Sequence, residues 1–154
     1  MKQHELDNRL STIEDKLIRI ERRRAPSAAE GAGDRVYLLC EREQVFEICR
    51  FLFEDLALRF VISTGVDAED CFEVLHHFAN DESGCIATVR AFIRDRENPE
   101  IESITPLIPG AEWIEREMHD VLGIGFKNHP NLRRLILDDD WPEGVYPLRK
   151  EVQT

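Results

Sequence analysis

The carboxylates and histidines of this chain are the residue types that could bind a metal ion or transfer protons. Glu115 and His119 lie four residues apart, so a helix would bring them together on one face. A catalytic zinc ion needs three protein ligands, and no second histidine lies one turn away, so the spacing favours a structural Glu–His pair. His76 and His77 are adjacent, and neighbouring side chains of a strand point to opposite faces. We therefore expect one of them to face inward and the other outward, without a shared ion.

The remaining chemistry-bearing groups also lack the spacing of a known site. Asp138, Asp139 and Asp140 could hold a divalent cation, but consecutive carboxylates of an extended chain diverge, which favours a solvated acidic turn. The four cysteines lie 9, 22 and 14 residues apart without a CxxC pair, a spacing typical of reduced, buried thiols. No glycine-rich phosphate loop or GxSxG motif occurs. The sequence predicts no catalytic residue, no cofactor and no metal site.

The charge of the chain excludes several classes of partner. Twenty Lys and Arg face 31 Asp and Glu, which gives a net charge of −11 and argues against binding to nucleic acid. No uncharged run exceeds nine residues, whereas a membrane-spanning helix needs about 20 apolar residues. The amino terminus is charged and resembles no signal peptide. We expect a cytoplasmic protein that reaches a membrane only through partner subunits.

The first 34 residues predict a tethered helix. Apolar residues at alternating steps of four and three form one helical seam within residues 1–24, and residues 25–34 (APSAAEGAGD) have the composition of a flexible linker. The seam consists of Leu6, Leu10, Ile13, Leu17 and Ile20. We predict that this amphipathic helix docks on a partner. The alternative is that it packs on its own domain.

Residues 35–125 predict a compact domain of the α+β class. One short apolar run is followed by a segment of helical periodicity, then by three more apolar runs and a second helical segment. We predict strands at 36–40, 59–65, 71–79 and 85–93 and helices at 41–58 and 110–122. A small, helix-backed mixed or antiparallel sheet is the simplest assembly of these elements.

Residues 126–154 lack periodicity and predict an extended, partner-binding tail. The segment contains three prolines, the aromatic residues Trp141 and Tyr146, and the arginine pair Arg133 and Arg134. Such a segment cannot bury a core by itself, so it must lie over its own domain or over a neighbour. Arginines and aromatic residues are enriched in protein interfaces.

The last third of the chain resembles a known family. Residues 115–124 (EREMHDVLGI), followed by Phe126, His129–Pro130, 132–135 (LRRL) and 147–150 (PLRK), resemble the signature of the 30-kDa subunit of respiratory complex I, which in bacteria is the C subunit of NADH-quinone oxidoreductase. The resemblance implies a cofactor-free, peripheral subunit that packs on a large subunit related to that of nickel–iron hydrogenases. It implies interface roles for Glu115, Glu117, Asp120, His129, Arg133, Arg134, Arg149 and Lys150, to which the aromatic residues Trp113, Trp141 and Tyr146 are added.

Residues 139–146 (DDWPEGVY) look more like family members attached to membrane-bound hydrogenases. We therefore predict an accessory subunit of an energy-converting nickel–iron hydrogenase, on the cytoplasmic side of the membrane. It would brace a large catalytic subunit and an iron–sulfur small subunit while electron transfer and ion translocation occur in its neighbours. The alternatives are the C subunit of NADH-quinone oxidoreductase, a stand-alone metal-dependent enzyme that uses Glu115, His119 and the aspartate run, and an adaptor that self-associates through its first helix.

Overall fold

A mixed β-sheet forms the centre of the molecule. A computed structural model describes residues 1, 3–23 and 34–150, and within them five strands pair in the order β1-β2-β5-β4-β3. The strands are β1 (Arg19–Arg23), β2 (Arg35–Glu41), β3 (Arg59–Asp67), β4 (Phe72–Asn80) and β5 (Cys85–Ile93). β3, β4 and β5 form an antiparallel meander, β5 is parallel to β2, and β1 is antiparallel to β2. The predicted α+β class with a mixed sheet is confirmed.

Short helices and one larger helix complete the fold. α1 (Gln3–Leu10) continues as a 3-10 helix (Ser11–Lys16). The predicted helix over 41–58 consists of a 3-10 turn (Arg42–Gln44), α2 (Val45–Arg50) and a π turn (Phe51–Asp55). A 3-10 turn (Pro109–Ala111) leads into α3 (Glu112–Leu122), which ends at Gly123 in the left-handed conformation, φ 70°. β6 (Glu100–Glu102) and β7 (Gly125–Lys127) pair in parallel as a separate two-stranded sheet.

One hydrophobic core joins these elements. Alternate residues of β2, β4 and β5 are buried, as expected for strands with one face on a core. The largest wholly buried apolar side chains come from α1, α2 and the π turn after it, the central strands and the segments on either side of α3. They are Leu6, Leu10, Leu38, Ile48, Leu52, Phe72, Phe78, Ile93, Ile101, Ile104 and Ile124.

Within the residues that the structure describes, no helix is both long and apolar enough to cross a bilayer.

The prediction of a single docking helix over residues 1–24 is wrong. The helix ends at Leu10, where the hydroxyls of Ser11 and Thr12 donate to main-chain carbonyls three residues back. Such local bonds compete with continuation of the helix. Residues 19–23 then form β1, because the edge of β2 offers backbone partners, with Ile20 opposite Leu38.

The apolar seam of this segment belongs to the core of the same chain. Leu6 and Leu10 are fully buried and Ile13 is 7% exposed, while Leu17 and Ile20 pack partly buried against the same core. The seam therefore packs on its own domain, which was the alternative. The predicted linker, 25–34, lies outside the described residues except for Asp34.

The two adjacent histidines of β4 face opposite sides of the sheet, as predicted. His76 is fully buried, and its Nδ1 lies 2.7 Å from the Ser63 hydroxyl. His77 is partly exposed, and its Nδ1 lies 2.9 Å from the Thr88 hydroxyl. The Nε2 atom of His76 has no hydrogen-bond partner among the described residues. Burial lowers the pKa of His76 from 6.5 to about 3, because a charged imidazole would lose its hydration.

The buried His76 predicts a pH-dependent stability. Between its folded pKa of about 3 and 6.5, the unfolded chain binds a proton at this residue and the folded chain does not, so the free energy of unfolding falls as the pH falls. From pH 7 to pH 5 this contribution amounts to about 2 kcal/mol. Urea unfolding should therefore show that the free energy of unfolding of the wild type, relative to that of His76→Gln, falls by this amount from pH 7 to pH 5. A difference that stays constant with pH would contradict the prediction.

Candidate functional site

The tail, residues 128–150, crosses α3 without forming a helix or a strand. A single carboxylate of α3 holds its centre. Asp120 Oδ2 accepts three backbone N–H groups at 2.8 to 3.1 Å, those of Leu135, Ile136 and Leu137. Burial alone would raise the pKa of Asp120, but these hydrogen bonds outweigh it and hold the pKa below its usual value. The ionised carboxylate therefore fixes the path of the tail.

Arg116, four residues before Asp120, holds the preceding part of the tail. Its guanidinium donates to the carbonyl oxygens of Arg133 and Arg134 at 3.1 and 2.7 Å, and only 6% of the residue is exposed. Sequence reasoning missed Arg116 as a functional residue. The signal was present, since an arginine and an aspartate four residues apart share one helix face and can offer both donors and acceptors to a neighbouring backbone.

Two further side chains attach the first turn of the tail. The His129 ring nitrogen Nε2 lies 3.2 Å from the Glu112 carbonyl oxygen, and its Nδ1 accepts the Asn131 N–H at 3.0 Å. The side-chain amide of Asn131 also donates to the Glu112 carboxylate at 3.1 Å. His129, predicted at a subunit interface, therefore orients the tail within this chain.

The end of the tail is attached to α3 and to the sheet. Arg149 Nε donates to the Leu122 carbonyl at 2.7 Å, and its guanidinium stacks on the rings of Phe72 and Tyr146. The Lys150 N–H donates to Asp67 Oδ2 at 2.7 Å. Asp67 closes β3, so this bond ties the tail to the sheet. Asp67 was a second residue that sequence reasoning missed, since a lone aspartate before a turn has no distinctive pattern.

Glu115 lies inside the molecule and contacts no surface. It is fully buried and accepts hydrogen bonds from the Ser103 hydroxyl (2.5 Å), the Thr105 hydroxyl (2.6 Å) and the Ile104 N–H (2.8 Å). Burial raises its pKa, although these donors act in the opposite direction. The carboxylate therefore pins the loop before α3 to the helix.

The predicted pairing of Glu115 with His119 is wrong. His119 Nδ1 lies 2.9 Å from the Ile124 carbonyl oxygen, which accepts from it. The histidine nearest to Glu115 is His129, whose Nε2 lies 3.9 Å from its carboxylate. Glu115 and Asp120 are both buried and hydrogen-bonded within this chain, and their predicted contact with a partner stays a prediction.

The tail and α3 expose large apolar side chains. Four of the eight exposed large hydrophobic residues in the described ranges lie here: Trp113 (66%), Ile136 (58%), Val145 (48%) and Leu148 (62%). We name these four residues the tail surface. Isolated apolar residues are common on protein surfaces, but three of these four lie within residues 136–148, and such a group is typical of an interaction site.

The other predicted interface residues also lie on α3 and the tail. Glu117, Arg133 and Lys150 are exposed. Arg134 donates to the Asp138 carbonyl, and the Trp141 indole donates to the Val145 carbonyl, each at 2.9 Å. These bonds shape a cleft of about 300 Å³. It is lined by His119, Asp120, Arg134, Leu137, Trp141, Pro142, Glu143, Gly144, Val145 and Tyr146.

The residues of the alternative metal enzyme do not come together. Glu115 is occupied by the loop at 103–105, His119 binds a carbonyl, and the aspartate run is exposed. Among the described residues, no group of three or more His, Cys, Asp and Glu side chains is arranged to hold a metal ion. The four cysteines are buried and reduced, and burial raises the pKa of Cys40 to about 12. The geometry of the described residues therefore does not support a metal-dependent active site.

Comparison with known proteins places this arrangement in a family. Residues 38–154 match the family described as respiratory-chain NADH dehydrogenase, 30 Kd subunit. The chain is 34% identical over 135 residues to the C subunit of F(420)H(2) dehydrogenase from Methanosarcina mazei, covering 83% of this chain and 84% of the relative. It is 39% identical over 132 residues to the C subunit of NADH-quinone oxidoreductase from Roseiflexus sp., covering 81% of this chain and 73% of the relative.

The fold is also found in a solved structure. A chain of the membrane-bound sulfane sulfur reductase, an archaeal respiratory membrane complex, superposes with a TM-score of 0.70 at 24% identity, covering 94% of this chain and 84% of that chain. The family match begins in β2 and includes α3 and the whole tail, the same residues that carried the resemblance. The chain therefore belongs to the family of the 30-kDa subunit of the respiratory-chain NADH dehydrogenase.

Proposed function

We propose that this chain is a scaffold subunit of a complex I-related oxidoreductase, and that its tail surface docks on a neighbouring subunit. The observation that carries the proposal is the contrast between two sets of residues. Asp120, Arg116 and Arg149 are used within the chain to hold an irregular tail in one path, while Trp113 and Leu148 are left exposed. A segment that is ordered before binding loses less entropy on association.

The names of the relatives support the same role. Each name describes one subunit of a larger enzyme, F(420)H(2) dehydrogenase in one case and NADH-quinone oxidoreductase in the other. We infer that the neighbours of this chain are the large subunit and the iron–sulfur small subunit, as the family resemblance implies. The complex would hold this chain at the cytoplasmic side of a membrane.

The branch of the family is the finer part of the proposal. The segment 139–146 favours a nickel–iron hydrogenase, whereas the two relatives, each matched over more than four fifths of this chain, belong to enzymes named for F(420)H(2) and NADH. We propose the branch of these two enzymes, the dehydrogenase branch, because those matches cover 83% and 81% of this chain. The hydrogenase branch is the second candidate and is supported by the eight-residue segment.

One purification distinguishes the two branches. The tagged chain would be recovered from gently solubilised native membranes, its partners identified by mass spectrometry, and nickel measured in the same sample. We expect a nickel-free large subunit together with a flavin-containing electron-input subunit. Stoichiometric nickel would assign the chain to the hydrogenase branch, and recovery of no partner would overturn the scaffold role.

The docking role of the tail surface predicts the effect of a double substitution. Trp113→Ser with Leu148→Ser should reduce recovery of the large subunit about tenfold, because buried aromatic anchors dominate interface energies. The isolated variant should keep its melting temperature within a few degrees, since both side chains are exposed (66% and 62%). Ile18→Ser, at a residue that is 52% exposed and outside the tail surface, is the control. Full recovery with the double variant would contradict the docking role.

A further inference from the structure

The two edges of the five-stranded sheet differ in chemistry. β1 forms one edge, and four of its five residues are charged (RIERR). β3 forms the other edge, and its residues 60–66 (FVISTGV) carry no charge. Natural proteins protect exposed sheet edges with charged side chains, proline or short strands, because a free edge pairs with other chains. β1 has this protection, whereas residues 60–66 of the nine-residue β3 carry neither a charged side chain nor proline.

The free edge of β3 also exposes apolar side chains and unpaired backbone. Val61, Ile62 and Val66 are 46%, 48% and 38% exposed. Among the described residues, the backbone of 60–66 forms ladder hydrogen bonds with β4 alone. The register shifts between Phe60 and Ile62, so Val61 forms a bulge and residues 62–66 remain as a regular pairing segment.

The inner face of β3 is held firmly in place. A side chain at Gly65 would come within 2.7 Å of Leu122 and 3.0 Å of Met118, which shows how closely α3 packs on this strand. Asp67, at the end of β3, binds the Lys150 backbone and forms an ion pair with Arg96 at 2.7 Å. The edge is therefore a preformed template, and a strand added to it would not have to order β3 first.

Charge indicates what kind of chain fits this edge. The turn that follows β3 carries Glu69 and Asp70, which are exposed and form no ion pair within the described residues. A second copy of this chain would bring another net charge of −11 to the contact, which disfavours self-association. A partner with an uncharged centre and a lysine or arginine near the turn would satisfy both features.

We propose that residues 62–66 of β3 accept an extended segment of a partner subunit as a sixth strand. The segment has apolar or β-branched residues at its centre and a basic residue beside Glu69 and Asp70. Backbone hydrogen bonds supply affinity, and Ile62 and Val66 select the side chains on the outer face, as in other cases of strand addition. This inference rests on the proposed role as a subunit but uses residues other than those of the tail surface.

The test replaces the exposed apolar residues of the edge by the residue type that protects edges elsewhere. Ile62→Lys with Val66→Lys, in the tagged full-length chain expressed in the native host, should lower recovery of the partner subunits about tenfold. Ile18→Lys, beside the opposite edge of the sheet, should leave recovery unchanged. The melting temperature of the isolated double variant should stay within a few degrees of the wild type, because both side chains are exposed.

Hydrogen exchange supplies an independent readout. Backbone amides of residues 62–66 should exchange at least about tenfold more slowly in the purified wild-type complex than in the isolated chain. Equal exchange in both, or full recovery with the lysine pair, would overturn the edge proposal while leaving tail docking intact. A wild-type dimer that the lysine pair converts to a monomer would identify a second copy as the occupant and overturn the partner assignment. Recovery of no partner with the wild type would overturn both proposals.

Discussion

Replacing Asp120 by alanine should release the tail from α3 while leaving the sheet folded. The substitution removes the one oxygen that accepts the N–H groups of Leu135, Ile136 and Leu137. Hydrogen bonds to a charged acceptor contribute about 1.5 to 3 kcal/mol each, and water will replace part of this at a partly exposed segment. We expect the opening of residues 128–150 to become easier by about 3 kcal/mol, so that their amides exchange roughly 100-fold faster.

Hydrogen exchange followed by mass spectrometry measures this release directly. Glu117→Ala is the matched control, because Glu117 lies on the same helix and is exposed. Asp120→Asn should give an intermediate result, since one acceptor oxygen is kept but the charge is lost. If the tail of Asp120→Ala exchanges as slowly as in the wild type, then the carboxylate does not hold its path. The variant should also recover less of the large subunit, because the tail surface would no longer be ordered before docking.

Glu115→Ala should be the most destabilising single substitution in α3. It leaves the hydroxyls of Ser103 and Thr105 and the N–H of Ile104 without an acceptor in a region that is fully buried. Breaking a buried charged network typically costs about 3 to 5 kcal/mol, a large part of the 5 to 15 kcal/mol that stabilises a whole domain. We expect a fall in melting temperature of roughly 10 °C or more.

Glu115→Gln removes the charge of the side chain but keeps its size, so it separates the two effects that Glu115→Ala combines. Glutamine keeps one acceptor oxygen and nearly the same volume, so it should be less destabilising than alanine. Because burial raises the pKa of Glu115, the folded chain holds this proton to a higher pH than the unfolded chain. The wild type should therefore lose stability as the pH rises from 4.5 through the raised pKa, relative to Glu115→Gln. A melting temperature of Glu115→Ala close to that of Glu117→Ala would contradict the structural role of this carboxylate.

Local patterns of the sequence determined the central elements of the fold. The predicted strands at 36–40, 59–65, 71–79 and 85–93 agree with β2 to β5 within about two residues at each end. The helix over 110–122 agrees with α3, and Gly123 ends it as expected, because a glycine adopts the left-handed conformation without a steric cost. The motif that begins at residue 115 also identified the family, since side-chain types at fixed spacing are a property of the chain itself.

Tertiary contacts decided where residues 3–23 pack. The spacing of Leu6, Leu10 and Ile13 defines an apolar face, but the same face fits a partner or the chain's own core. The strand β1 formed where helical spacing continued, because β2 would otherwise leave an edge without backbone partners. The periodicity of a sequence indicates which residues form an apolar face. Which surface buries that face depends on the tertiary structure.

The roles of the charged residues in α3 were likewise decided by the tertiary structure. Glu115 and Glu117 are two residues apart, and at about 100° per residue a helix directs them to well-separated sides. The sequence determined that separation and predicted interface roles for both, yet Glu115 is buried against the loop at 103–105 and Glu117 is exposed. Which side faces the core depends on where β3 and the tail lie, and those positions arise from contacts between residues far apart in the chain.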